Sequence, residues 1–359
     1  MLTFHLALTT INMYLRVILE FKWLMERGKS MNYNTDKFLN MLYENERKKE
    51  NLLNCDKKDL LSIAQKKRGE LREVLNLEFF EEFEFEPNIK LTDTHGLEDN
   101  ILEIYDVEFL PYLTSYVYVL KPNKPNKKSI LYCHGHGGEG CKDSIDRTKE
   151  TQYHKCIPLH MAQKGYTVVI PEFAGYGKMV DEGFKQPEQR GCIANSTILL
   201  LYDLNMAGLR VFEAMQMITV MQKLGLEDIA VYGVSGGGLV AAYLCALDER
   251  PKAELISSYT NLYKYSIMAM HHCIDNYPQG ILKVGESPEI IALANPKPIF
   301  ISGGNADRIF PVNGTEEAIE NIKSIYEKFG DNNKIEYEIF EGQHEVSLAK
   351  VFEFLEKAL

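Results

Sequence analysis

Apolar positions along this chain recur at two spacings, and the change from one to the other divides it. From residue 35 to about residue 77 the spacing is helical. Leu60, Leu61, Ala64, Leu71 and Leu75 fall on one face, and Asp56 is placed to cap the helix start. The lysines and glutamates between them form a solvated face. From about Phe83 the period shortens to that of strands, over 101–110 and then 114–120, the second run rich in Tyr and Val. Pro122, Asn123, Pro125 and Asn126 mark a turn.

Beyond that turn, strand and helix alternate. Strands are expected over 129–133, 166–170, 229–232, 253–257, 298–302 and 334–340. Between them lie a helical stretch ending near Lys164, a helix over 206–223, a small-residue helix over 236–247 and a helix over about 315–329. A closing helix is expected from about Glu345. Such alternation requires right-handed crossovers, so the expected fold class is α/β: a mostly parallel sheet covered by helices on both faces. Ligands in such sheets bind at the carboxyl ends of the strands, so the residues just after each strand matter most. The expected domains are a helical segment over 31–82 and a catalytic domain over 83–359. Small cap insertions are expected near 175–205 and 258–295.

Composition narrows the function. Hydrophobic residues make up 45% of the 359 and charged residues 25%, enough apolar material for a large core and unlike a disordered chain. The net charge of −11 repels phosphate backbones, which argues against a nucleic-acid partner. Seven scattered cysteines (Cys55, Cys133, Cys141, Cys156, Cys192, Cys245 and Cys273) read as reduced thiols of a cytoplasmic protein. Residues 2–19 are apolar but interrupted by Asn12 and Arg16, so no stable membrane insertion is expected. Two readings stand for residues 1–30. They form an extra N-terminal helix, or Met31 is the true start, since Glu26-Arg27-Gly28-Lys29 can be encoded by a purine-rich stretch resembling a ribosome-binding site.

The chemistry centres on Gly233-Val234-Ser235-Gly236-Gly237, which lies between an apolar strand and a small-residue helix. There G-x-S-x-G makes a nucleophile elbow, a strained turn that needs small neighbours and presents the serine to the N-terminus of a helix. A serine hydroxyl needs a base. In the expected chain order, Asp307 follows strand 298–302 as the acid, and His344 follows strand 334–340 as the base. Glu341 is the rival acid. The loop His134-Gly135-His136-Gly137-Gly138 follows strand 129–133 and suits an oxyanion hole, with one N–H from Gly236 and the other from His136 or its neighbours. The same loop, with Cys133 and Cys141, is also open to a zinc reading, but no carboxylate or second histidine pair completes that site at suitable spacing. No metal and no cofactor are therefore expected. Tyr176, Tyr259 and His272 are candidate substrate contacts.

Taken in order, HGHGG, Pro171-Glu172-Phe173-Ala174-Gly175-Tyr176-Gly177, GVSGGG, Gly304-Asn305-Ala306-Asp307 with Phe310-Pro311, and Gly342-Gln343-His344 resemble the α/β-hydrolase superfamily. Within it the chain is similar to dienelactone-hydrolase-like and acetyl-xylan-esterase-like bacterial hydrolases. His272-Cys273 followed by Asn276-Tyr277-Pro278 also resembles a segment of those esterases. The resemblance covers about residues 100–359. It implies a serine hydrolase of small, acetyl-type esters with a Ser-His-Asp triad and a small-molecule ester as its partner. Ser235 departs from the cysteine nucleophile of dienelactone hydrolases proper. Val211-Phe212-Glu213-Ala214-Met215 departs from the aspartate- and arginine-containing version of the helix before the elbow. The competing readings are a prolyl-oligopeptidase-like peptidase, whose propeller about 80 helical residues cannot form, and a non-catalytic binding protein on the same fold. Oligomeric state is left open.

Overall fold

The computed structural model describes residues 35–180, 183, 185–186 and 190–359. Both readings of residues 1–30, and part of the 175–205 insertion, lie outside them. The chain divides after Lys49 into two units. In the first, helix α1 spans Asp36–Arg47. The second, Glu50–Leu359, holds everything that follows.

Nine strands form one sheet: β1 Asn88–Leu97, β2 Asn100–Leu110, β3 Leu113–Pro122, β4 Ser129–Cys133, β5 Thr167–Pro171, β6 Ile229–Val234, β7 Ala253–Ser257, β8 Ile299–Gly304 and β9 Ile335–Phe340. Their spatial order is β1-β2-β3-β5-β4-β6-β7-β8-β9. The first three pair antiparallel, β3 meets β5 antiparallel, and the rest are parallel. The helices of this unit are α2 Leu60–Val74, α3 Leu77–Glu81, α4 Ile157–Gln163, α5 Cys192–Leu200, α6 Met206–Lys223, α7 Gly236–Leu247, α8 Ile281–Val284, α9 Ser287–Ala292, α10 Val312–Phe329 and α11 Val351–Ala358. No helix among the described residues is long and apolar enough to cross a membrane.

The pleat divides the core in two. Leu131 and Cys133 of β4 join the cluster that includes α6, α7 and α10, while Ile130 and Tyr132 join the cluster that includes α4 and α11. Because both faces are covered, the central parallel strands are buried at every position and mostly apolar, with Glu254 of β7 the charged exception. In α7 every residue from Gly236 to Ala246 is buried, which explains its small side chains. Residues 50–82 belong to the same unit: the Arg68 guanidinium donates to the carbonyls of Ala246 and Leu293, tying α2 to the ends of two body segments.

The structure departs from the sequence expectations in four places. Asp56 does not cap α2, because the helix begins at Leu60 and Asp56 instead closes a turn through its carbonyl. Strand β1 was unforeseen because this edge strand is exposed along nearly its whole length and carries no apolar alternation. The stretch after β4 is two 3₁₀ turns, Gly140–Ser144 and Arg147–Lys149, before the short α4. Lys155 and Cys156 both adopt positive φ there, which stops a helix from running through. Residues 345–350 are not helical. Val346 N–H bonds to Tyr153 O, and Glu345 pairs with Lys155, so α11 starts only at Val351.

Candidate active site

The parallel register brings several strand ends level. Cys133 lies opposite Gly233, Val234 opposite Ser257, Ser257 opposite Ser302, and Gly304 opposite Phe340. The loops after β4, β6, β8 and β9 therefore open on one edge of the sheet. A buried hydroxyl chain crosses below it, Tyr232 Oη to Ser257 Oγ at 2.7 Å and on to Ser302 Oγ at 2.6 Å.

Ser235 sits between β6 and α7 at φ 54° and ψ −122°. A non-glycine residue held there stores on the order of 1–3 kcal/mol, which the surrounding structure must hold in place. Its N–H donates to Ser257 O at 3.0 Å. The tight turn depends on close packing behind it: a Cβ on Gly237 would lie 1.9 Å from Cys133 O. Larger residues at that position would push α7 off the sheet.

The other two strand-end residues converge on this serine. His344 Nε2 lies 2.9 Å from Ser235 Oγ, and His344 Nδ1 lies 2.8 Å from Asp307 Oδ2. The remaining Asp307 oxygen, Oδ1, accepts the N–H groups of Ile309 at 2.7 Å and Phe310 at 3.0 Å. The Asp307 side chain is 1% exposed and that of His344 19%, so the pair is largely screened from water while the imidazole still meets the opening. Nearly parallel rings of Tyr153 and Phe310 flank the imidazole at 5.9 and 5.8 Å. Glu341, the rival acid, is exposed.

The HGHGG loop splits its two histidines between different partners. His134 is buried, with Nδ1 2.9 Å from Gly135 O and Nε2 2.9 Å from Glu172 Oε1, the latter too bent for a hydrogen bond. Glu172 also accepts from Tyr116 Oη at 2.5 Å and from the Cys141 N–H. Burial works to raise this carboxyl, but the electrostatic attraction of the adjacent His134 and the hydrogen bonds from Tyr116 and the Cys141 N–H outweigh it and hold Glu172 below the usual carboxylate range. His136 turns toward the site, and its carbonyl accepts from Tyr153 Oη at 2.6 Å. A Cβ on Gly236, the first residue of α7, would lie 2.9 Å from both His136 Nδ1 and Tyr176 Oη. The two expected oxyanion positions, Gly236 and His136, are thus neighbours.

Of the candidate substrate contacts, Tyr176 reaches the elbow with its hydroxyl, 2.9 Å from where a Cβ on Gly236 would lie. Its hydroxyl accepts from Arg210 Nη1 at 2.7 Å, and the Arg210 guanidinium lies 3.7 Å over its ring. Tyr259 and His272 form a second row: both pack on Phe310, with ring centroids 5.4 Å away, and Phe310 in turn stacks on His344. His272 Nε2 lies 3.1 Å from Ser266 Oγ. Sequence reasoning overlooked Tyr153, Glu172, Arg210 and Asp275. Glu172 lies inside the Pro171–Gly177 motif, and its place directly after β5 is the available signal. Arg210 and Asp275 meet only through the tertiary fold and gave none.

No family model matches this chain, and no curated protein matches it by sequence. Solved structures do. A Bacteroides fragilis protein described as an acetyl xylan esterase superposes with TM-score 0.66 at 19% identity, covering 84% of this chain and 81% of that one. The fold is that of the α/β-hydrolases. An acetyl xylan esterase from Thermoanaerobacterium (TM-score 0.55, 16% identity, 82% of this chain and 98% of that one) and a glucuronoyl esterase from Solibacter usitatus (0.56, 15%, 80% and 91%) share it. Ser235 stands at the sharp turn between β6 and α7, and His344 on the loop after β9, the last strand.

Proposed function

We propose that this chain is a serine carboxylic-ester hydrolase acting on small, acetyl-type esters. The observation that carries the reading is the hydrogen-bonded series Ser235 Oγ, His344 Nε2, His344 Nδ1, Asp307 Oδ2, assembled on a strained elbow. Ser235 Oγ attacks the ester carbonyl while His344 Nε2 takes its proton, and Asp307 holds Nδ1–H and stabilises the imidazolium. The Gly236 N–H and an N–H of the loop at His136 receive the oxyanion. Collapse expels the alcohol, which takes the proton from His344. Water activated by the same histidine then releases the acid and restores Ser235.

Tyr176, Tyr259 and His272 would shape the acyl or alcohol pocket. The acetyl xylan and glucuronoyl esterases that share this fold favour a carbohydrate ester as the substrate class. Replacing Ser235 by Ala should cost on the order of a millionfold in turnover while leaving the fold intact. A screen of acetyl, butyryl and longer esters, with acetylated sugars included, reads the substrate class. An active-site-directed organophosphonate should label the protein once, on Ser235. Labelling at another residue with Ser235 untouched would overturn the reading.

A further inference from the structure

We propose that His136, Cys192, Cys273 and Asp275 form a binding site for a thiophilic divalent cation, zinc foremost. One ligand atom from each residue can be chosen so that all lie within 4.8 Å of one another. The four come from three separate stretches: His136 from the HGHGG loop, Cys192 as the first residue of α5, and Cys273 and Asp275 from the N-cap and middle of the 3₁₀ turn Ile274–Asn276. Two sulfurs, an imidazole nitrogen and a carboxylate oxygen form a donor set that tetrahedral zinc accepts and that harder cations do not favour. This is not the set the sequence suggested. His134 is committed to Glu172, Cys133 is buried in β4, and the Cys141 N–H also faces Glu172.

Geometry and charge both fit. Cys192 Sγ and Cys273 Sγ are 2.9 Å apart, whereas zinc–sulfur bonds of about 2.3 Å at a tetrahedral angle place two sulfurs about 3.8 Å apart. Binding would therefore part them by about 1 Å, and neither sits inside a regular element that must bend: one opens a helix and the other precedes a single turn. Two thiolates and one carboxylate carry three negative charges. The buried guanidinium of Arg210, paired with Asp275, supplies one positive charge and the cation two, so the assembly is neutral. Partners for the ligands are already in place. Asp275 Oδ1 accepts from Asn276 Nδ2 at 2.8 Å while Oδ2 faces Arg210 and, at 3.5 Å, His136 Nε2. Such outer partners orient ligands and typically change metal affinity about 10–100-fold.

The site lies behind the loop that carries one proposed oxyanion donor, and it joins that loop to both insertions. Its role is to hold His136 in place. No step of ester hydrolysis passes through the metal.

The test uses the full chain, reduced and stripped with a chelator, then titrated anaerobically with cobalt(II). The expected result is one cobalt per chain, with a near-ultraviolet thiolate-to-cobalt charge-transfer band and tetrahedral visible bands, both abolished by zinc. Cys192→Ser and Cys273→Ser should each lose the charge-transfer band or weaken binding by at least tenfold, while Cys55→Ser keeps it. Should the serine variants fail to fold, zinc protection of Cys192 and Cys273 from alkylation in the unaltered chain, read by mass spectrometry, decides the matter. Absence of a thiolate band at one equivalent overturns the site, as does full binding by a Cys192→Ser/Cys273→Ser double variant. A Cys192–Cys273 disulfide in air, coupled with no cobalt binding after reduction, overturns it in favour of a redox pair.

Discussion

Asp307→Asn changes one atom, and the hydrogen bonds around it determine what that change does. Asp307 Oδ1 accepts two backbone N–H groups, from Ile309 and Phe310. An asparagine must keep its carbonyl oxygen there, since turning the amide would set its NH₂ against both donors and lose two hydrogen bonds at about 0.5–1.5 kcal/mol each. The NH₂ group then faces His344 Nδ1, which must become the acceptor. The ring proton moves to Nε2 and points at Ser235 Oγ, so the nitrogen that should take the serine proton already carries one. A wrong tautomer of this kind lowers turnover about 10⁴-fold, which is about 5.4 kcal/mol of barrier at about 1.36 kcal/mol per decade. Stability should change far less, by about 1 kcal/mol, because one charge-assisted hydrogen bond becomes a neutral one. Turnover of a chromogenic acetyl ester and a thermal melt on the same sample separate the two effects. Near-normal turnover in Asp307→Asn, with loss in Glu341→Gln, would refute the reasoning and give the acid's role to Glu341.

Glu213 is fully buried, and burial raises its carboxyl to about 8 even though the Ala174 N–H donates to it. Because the folded value exceeds the unfolded one, stability is greatest below the unfolded value and falls by about 1.4 kcal/mol per pH unit as pH rises toward 8. Glu213→Gln should remove that slope, so its advantage over the parent in denaturant midpoint should grow from pH 5 to pH 8, and equal differences at both pH values would contradict the assignment. Glu172 has the opposite sign: held below the usual carboxylate range by His134 and Tyr116 against its burial, it contributes stability at neutral pH that is lost as pH falls through its folded value. Glu172→Gln should cost about 3–5 kcal/mol at pH 7, with a smaller difference from the parent in acid, and no loss at pH 7 would show the pair to be idle.

The elements legible in the sequence are those whose burial is one-sided or total. Strands β4, β6, β7 and β8 are short apolar runs buried at every position, and α7 begins where the glycines of the elbow begin. Their presence follows from composition because apolar side chains dominate the centre of a parallel sheet, although β6 and β8 each run two residues beyond the expected end. Strand β1 is held by its ladder to β2 and leaves its side chains in solvent, so no hydrophobic pattern marks it. The stretch over 134–156 failed for another reason. Its apolar residues recur at near-helical spacing, but tertiary bonds from Glu172 and Tyr153 hold the backbone in turns.

The candidate site divides along the same line. Ser235, Asp307 and His344 were legible because each lies on the turn or short loop that follows a strand, and a parallel sheet brings its strand ends to one edge whatever the helices do. Around them, Arg210, Asp275 and Cys192 take their meaning from contacts between α6 and two insertions that have no periodic relation to the sheet. In the sequence Arg210 is one of several polar residues on a largely apolar helix, and Asp275 is an acid in an irregular stretch. Only packing reveals that the guanidinium stacks on Tyr176 and that Asp275 faces His136, 139 positions earlier. The proposed reacting groups thus belong to the regular scaffold, whereas the groups around them come from insertions whose geometry is set by side chains. That separation predicts where the two kinds of substitution act. Changes at the strand ends should abolish turnover for every ester, and changes in the insertions should redistribute turnover among esters.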